Sequence, residues 1–213
     1  MKIFILLISL LSLQTCISGS APLDNREPVW TPSSSLQENH KKAYFASGCF
    51  WCVEAVLQPL KGVVKVIPGY AGGTVPGIPT YREVCSGLTG HAEVVEVHFN
   101  PEVISFETLL QVFMTTHDPT QLNRQGGDVG TQYRSVVYYH DSAQKAITEQ
   151  VIKKLQPEFE NPIVTEISPA PRFFPAESYH HNYYAQNADQ GYCQYVITPK
   201  VAKLRQYYAA LLK

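Results

Sequence analysis

The stretch Tyr44–Leu60, YFASGCFWCVEAVLQPL, reads as a strand that turns through a glycine into a helix. The run KAYFAS is short and apolar, Gly48 breaks it, and from Cys49 apolar residues recur at helical spacing until Pro59. Cys49 then stands at a helix N-terminus, where free backbone N–H groups and the helix dipole favour a thiolate. A buried inert cysteine is the competing reading. Phe50 and Trp51 are adjacent, so they cannot share one stripe of a helix. Two rings beside a thiolate can wall a small apolar pocket, or pack into the core on two faces. Cys52 completes a Cys-x-x-Cys spacing. A redox-active dithiol, half of a metal site and a single reactive thiol all fit these residues.

Working outward, GVVKVIPGYAGG (62–73) is a β-branched strand ending in a glycine turn. GHAEVVEVHFN (90–100) is a strand by its valine content, although Ala92, Val94 and Val97 alternate only roughly. SFETLLQVFMTTHD (105–118) has a helix start at Ser105, and SAQKAITEQVIKKLQ (142–156) a helix with Ser142 as its N-cap. RSVVYYHD (134–141) and PIVTEISP (162–169) read as strands, and PKVAKLRQYYAALLK (199–213) as a terminal helix. Strands and helices alternate irregularly, with long polar loops and no internal repeat. That pattern predicts an α+β fold, a two-layer sandwich with helices packed on a mixed sheet, rather than a parallel doubly wound sheet. No G-x-G-x-x-G or phosphate-cradling loop is present. A formal net charge of −1 gives no bias toward nucleic acid or anionic lipid.

The chain has 213 residues, enough for one well-cored domain, and residues 41–213 are assigned to it. The first twenty differ. Lys2 precedes the apolar run IFILLISLLSL, and small residues follow in CISGSA, the pattern of an export signal cut near Ser20. The run is short for a membrane span. The alternative uses Cys16, where LQTC loosely matches a lipoprotein box and would give a lipid anchor. Residues 21–40, rich in Pro, Ser, Asn and Asp, read as a flexible linker. Export, periplasmic or secreted, would place Cys49, Cys52, Cys85 and Cys193 in an oxidising compartment. Four cysteines allow three full pairings, and sequence does not choose among them.

Three further segments are dense in polar and aromatic groups without a helical or strand period. PTYREVCSGLTGHAEVV holds Tyr81, Glu83, His91 and Glu93, HDPTQLNRQGGDVGTQYRS holds Asp118, Asp128 and Tyr133, and the third is FFPAESYHHNYYAQNADQGYC. Long loops inside a compact domain often carry function. A glutamate and tyrosines from separate loops can donate protons to a developing oxyanion. Each residue alone also reads as a surface or capping group. Cys193 follows Gly191 in what reads as a mobile tail able to swing toward Cys49, or it is a structural or spare thiol.

From Tyr44 to Cys193 these segments resemble the peptide methionine sulfoxide reductase A family. The anchors are GCFW, GYAGG, PTYREVCSG…TGHAEVVEV, HDPTQLNRQGGDVGTQYRS, AESYHHNYY and a closing GYC, in shared order and spacing. The resemblance implies a ferredoxin-like α+β sandwich and reduction of the S epimer of methionine sulfoxide, free or in proteins. It implies no bound metal, flavin or nicotinamide, and thioredoxin or a similar dithiol as external reductant; a monomer is the default. By position it implies Cys49 as nucleophile, Phe50 and Trp51 as the substrate wall, and Glu93 as the acid. Tyr81 and Tyr133 bind the sulfoxide oxygen in that reading, and Asp128 is an acidic residue of the same site. A second cysteine then closes a disulfide on the Cys49 sulfenic acid. Cys193 matches the family position and is favoured, with Cys52 as the alternative, since many members have Gly there. Cys85 reads as structural. Two rival readings use the same residues: a thioredoxin-like disulfide oxidoreductase on Cys49 and Cys52, and a zinc module adding Cys85, His91 or His180.

Overall fold

The structure, a computed structural model, describes residues 39–213. The expected export signal, Cys16 and all but the last two residues of the expected linker lie outside the described residues. Strand β1 (Lys41–Ala46) emerges with two exposed lysines and then four buried residues. Helix α1 (Phe50–Leu57) connects it to β2 (Val63–Ala71). After the short helix α2 (Tyr81–Cys85) comes β3 (Ala92–Phe99), which pairs antiparallel with both β1 and β2. Helix α3 (Phe106–Thr115) and a small ribbon, β4 (Arg124–Gln125) with β5 (Asp128–Val129), lead to β6 (Val136–Tyr139), antiparallel to β1. The inner order β6-β1-β3-β2, with α1 and α3 as crossovers, is that of two interleaved split βαβ units, the ferredoxin-like arrangement.

Helix α4 (Ser142–Leu155) returns the chain to β7 (Glu166–Pro169), which joins β6 in parallel at one edge. At the other edge β8 (Phe173–Pro175) pairs antiparallel with β2, completing a six-stranded mixed sheet. Helix α5 (Tyr183–Gln186), a π-helical turn (Cys193–Ile197) and helix α6 (Thr198–Tyr208) close the chain.

Two clusters explain why β3 lacks a clean alternation. Val95, Val97 and Phe99 join Ala43 and Phe45 in the main core, which α1 and α3 cover. Ala92 and Val94 face the other way, with Tyr44, Ala46, Val136 and Tyr138. A strand buried on both faces reads as a continuous apolar run. By the same parity Glu93 lies on the helix-covered face and Glu96 on the opposite one. Helix α1 is short and has no side-chain cap bond at its start. Tertiary packing therefore holds it, through Val53, Val56 and Leu57 buried in the core. Each such side chain contributes about 1.5–3 kcal/mol.

Local expectations are corrected in four places. The N-cap of α4 is Asp141, whose Oδ1 accepts from Gln144 N–H at 2.8 Å, so Ser142 is the first helical residue. Only Glu166–Pro169 of the expected strand at 162–169 pairs with the sheet, while Val164 N–H bonds Pro119 O at 2.9 Å. Glu83 completes a capping box with Thr80 at the exposed start of α2, which explains its spacing without chemistry. Cys193 lies in a continuous helical segment and is fully buried, not in a mobile tail.

Candidate active site

β1 ends against a corner that only glycine can make. Gly48 has φ +64°, and a Cβ there would meet Gln125 Cβ at 2.6 Å. Its N–H donates to Tyr133 O at 3.0 Å, tying the corner to the loop that carries Tyr133. The turn sets Cys49 as the N-cap of α1, almost wholly buried. Phe50 N–H, at the first helical position, donates to Glu93 Oε2 at 2.9 Å. The end of β3 therefore places its carboxyl directly beneath the start of α1.

Glu93 is 1 % exposed. Burial pushes its carboxyl up to about 8, reinforced by the nearby Asp128 and Cys52 and only partly offset by the Phe50 N–H. At neutral pH it is a proton-bearing acid. The two thiols of the helix start are hydrogen-bonded to one another. Burial first, then this bond and Glu93, hold Cys49 well above the ordinary thiol range, against a small pull from Trp51 N–H. Cys52 receives the Cys49 S–H, and this is the main reason its thiol falls to about 7. Helix-end position alone predicts a Cys49 thiolate. Here burial opposes that charge on Cys49, while the hydrogen bond between the thiols lowers Cys52.

The aromatic groups arrive from separate segments. Phe50 is buried, with its ring 6.4 Å from Tyr81 and 5.0 Å from His180. Trp51 stacks on Tyr183 at 3.6 Å and 7° between planes. Its indole N–H donates to His180 Nδ1 at 3.1 Å. That bond makes Nε2 the protonated nitrogen of a neutral ring, and burial holds His180 down to about 4. Tyr81 opens α2, where its N–H donates to Glu177 Oε1 at 2.9 Å, while Tyr70 O–H donates to Glu177 Oε2 at 2.7 Å. Burial raises both Tyr81 and Tyr133 far above the phenol range, with the Glu93 charge adding to it, so both remain O–H donors. Asp128 accepts from Tyr192 O–H at 2.7 Å and sits near the Gly48 corner.

Cys49, Phe50, Trp51, Glu93, Tyr81, Tyr133 and Asp128 thus converge from five segments. Cys85, expected to be structural, contacts both Tyr81 and Tyr133 through its half-buried thiol. Cys193 neighbours Cys52 within the core. Both thiols of the Cys-x-x-Cys, Cys85 and Cys193 are free. The sequence marks the segment at 173–193 as dense in aromatics and offers His180 only as a zinc ligand; the contacts of His180, Tyr183 and Tyr192 with Trp51 and Asp128 give them a place in this site. Among the described residues no group of three or more His, Cys, Asp or Glu side chains is arranged to hold a metal ion. The cluster can shelter an apolar group against rings, offer O–H donors to an oxygen, and set a thiol beside a neutral acid.

Residues 41–211 match the family model described as peptide methionine sulfoxide reductase. A curated relative from Deinococcus radiodurans, named peptide methionine sulfoxide reductase MsrA, is 57% identical over 197 residues, 91% of this chain and 95% of its own. Yeast Mxr1 in reduced form is similar in structure, with a TM-score of 0.69 and 36% identity over 73% of this chain and 90% of that one. Mxr1 solved in complex with Trx2 aligns with a TM-score of 0.50 and 25% identity over 73% of this chain and 91% of that one. On the match of almost the whole described domain and the convergence of its anchor residues, the chain belongs to the peptide methionine sulfoxide reductase A family.

Proposed function

We propose that this protein reduces the S epimer of methionine sulfoxide, free or within proteins, to methionine, and so repairs oxidised proteins. The observation that carries the reading is a carboxyl held neutral by burial, Glu93, set beside the Cys49 thiol under Phe50 and Trp51. The sulfoxide methyl group meets the rings, and its oxygen takes hydrogen bonds from Tyr81 and Tyr133. Cys49 passes its proton to Cys52 across their hydrogen bond, and the resulting thiolate attacks the sulfoxide sulfur. Glu93 protonates the oxygen as it departs from the substrate. Methionine leaves, Cys49 holds the oxygen as a sulfenic acid, and Glu93 is left ionised.

Cys52 is then the better placed resolving thiol. It already shares a hydrogen bond with Cys49 at the start of one helix, whereas Cys193 is fully buried in a backbone-bonded π turn. The Cys52 sulfur bonds the Cys49 sulfur, the S–O bond breaks, and the hydroxide leaves as water with the Cys52 proton. The two hydrogens of that water are those of the Cys49 thiol and the Glu93 carboxyl, and the two sulfurs end as one disulfide. A thioredoxin-type dithiol reduces that disulfide by exchange; similarity to Mxr1, solved with Trx2, supports this partner. The protein works as a monomer. Residues 1–20 act as an export signal and 21–40 as a linker, with a lipid at Cys16 as the variant form; N-terminal sequencing of the processed protein checks this, and an uncut Met1 would overturn it.

The test is a stereospecific assay with thioredoxin as reductant. The S sulfoxide should be consumed and the R sulfoxide left intact, with Cys49→Ser inactive. Equal use of both epimers, or activity in Cys49→Ser, would overturn the reading.

A further inference from the structure

The reaction above gives Lys200 no task. Lys200, near the start of α6, is half-buried, and no ion pair joins it to a carboxylate among the described residues. It lines a water-sized cavity of about 10 Å3 together with Cys52, Ser47, Val53 and His117. It also lines the inner wall of an open cleft of about 510 Å3, with His117, Asp118, Glu158 and Lys203. Lys200 therefore lines both the open cleft and the small cavity that reaches Cys52.

The groups that face Cys52 can be taken element by element. Cys49 is on the same helix, Glu93 reaches it from β3 and Asp128 from β5. Tyr192 and Cys193 come from the turn before α6, and His117 follows α3. Asp128 opposes a charge on Cys52, and the Tyr192 hydroxyl that donates to Asp128 lies beside that thiol. His117 donates no charge, because burial holds it down to about 4. Lys200 is the one cation in this set, and it acts on Cys52 in the direction that favours thiolate.

We propose that Lys200 is a positioning residue for the Cys49–Cys52 pair, its ammonium supplying the counter-charge that holds the negative charge of the pair and favours Cys52 as the thiolate that closes the disulfide. The proposal rests on the reading of Cys52 as proton acceptor and resolving thiol. No atom of Lys200 is transferred, and the atoms balance as already written.

The experiment is the pH profile of kcat/KM for Lys200→Met and Lys200→Arg, beside an ultraviolet thiolate titration of each resting enzyme. In the parent enzyme the acid limb reports the thiol pair and the alkaline limb Glu93. Lys200→Met should move the acid limb and the thiolate titration to higher pH by about one unit, roughly a fivefold loss of the ionised pair at neutral pH, with the alkaline limb unmoved. Lys200→Arg should restore both. A lower profile with unshifted limbs would mean a packing defect, and an unshifted thiolate titration would overturn the proposal outright. Peptide mapping of Cys52→Ser after one turnover tests the underlying reading separately. A Cys49–Cys193 disulfide formed there at the parent rate would remove Cys52 from the reaction, whatever Lys200 does.

Discussion

Glu93 and Glu96 lie three residues apart on β3, and both side chains are almost fully buried. Glu93 is pushed up to about 8, yet Glu96 is held at about 2. Burial raises both. On the far face of the sheet, Glu96 accepts from Tyr44 O–H at 2.7 Å and from Lys42 Nζ at 3.1 Å, and lies 2.6 Å from His98 Nε2. Those bonds and charges outweigh the desolvation. On the helix-covered face, Glu93 has one backbone N–H, and the charged groups around it are negative. The lesson is that burial alone does not make an acid. A buried carboxyl becomes a proton donor at neutral pH only where cations are kept away from it, and the parity of one strand decides which glutamate that is.

The comparison can be broken most severely at Glu93. Glu93→Gln should slow single-turnover methionine formation by about 10²–10⁴-fold, the usual worth of a positioned acid. In the parent enzyme that rate should fall as pH rises through about 8, where Glu93 loses its proton, and the variant should lose this limb. Next comes stability, where the two glutamates should act with opposite sign. Glu96→Gln should cost about 2 kcal/mol in urea denaturation near neutral pH, with little change in kcat. Its contribution is fully present above 4.5, the ordinary carboxyl value, and is lost as pH falls through about 2. Glu93 is protonated in the folded chain and ionised in the unfolded chain between 4.5 and about 8, so it lowers stability across that window as pH rises. Glu93→Gln should remove this slope, and a variant that kept it would assign the slope to another group.

Smaller effects sharpen the picture. Tyr183→Ala removes the ring stacked on Trp51 and should raise KM for sulfoxide by roughly 2–12-fold, the worth of about 0.5–1.5 kcal/mol of aromatic contact, while kcat changes less. A fall in kcat at unchanged KM would instead place Tyr183 in the chemical step. Smallest is Lys42→Met, because its ammonium is half exposed. Its ion pair with Glu96 should be worth under about 1 kcal/mol, and less at high salt.

Much of this architecture was readable in order along the chain. The strand–Gly48–helix corner, both strands flanking it and the helix from Ser105 follow from period and turn residues, since these are local preferences. Other features depended on long-range contact. The Asp141 cap displaced Ser142, and β8 at Phe173–Pro175 went unmarked because three residues with two aromatics carry no strand period. Cys193 looked mobile because Gly191 precedes it, but core packing around the π turn fixes it. The roles of His180, Tyr183 and Tyr192 were hidden because a ring acquires a task only from the ring or carboxylate it meets.

The inventory is legible along the chain: a thiol at a helix start, a glutamate on a neighbouring strand, tyrosines on two loops, and the order of elements that makes a split βαβ sheet. These follow from spacing and from local backbone preference. Long-range contacts set which glutamate of β3 burial holds protonated, bring the Cys49 and Cys52 thiols together, and put Lys200 and Cys52 on one cavity wall. Such assignments depend on burial and on charges brought together from positions as far apart as Cys52 and Lys200, and proton affinity is set by that environment, not by residue type.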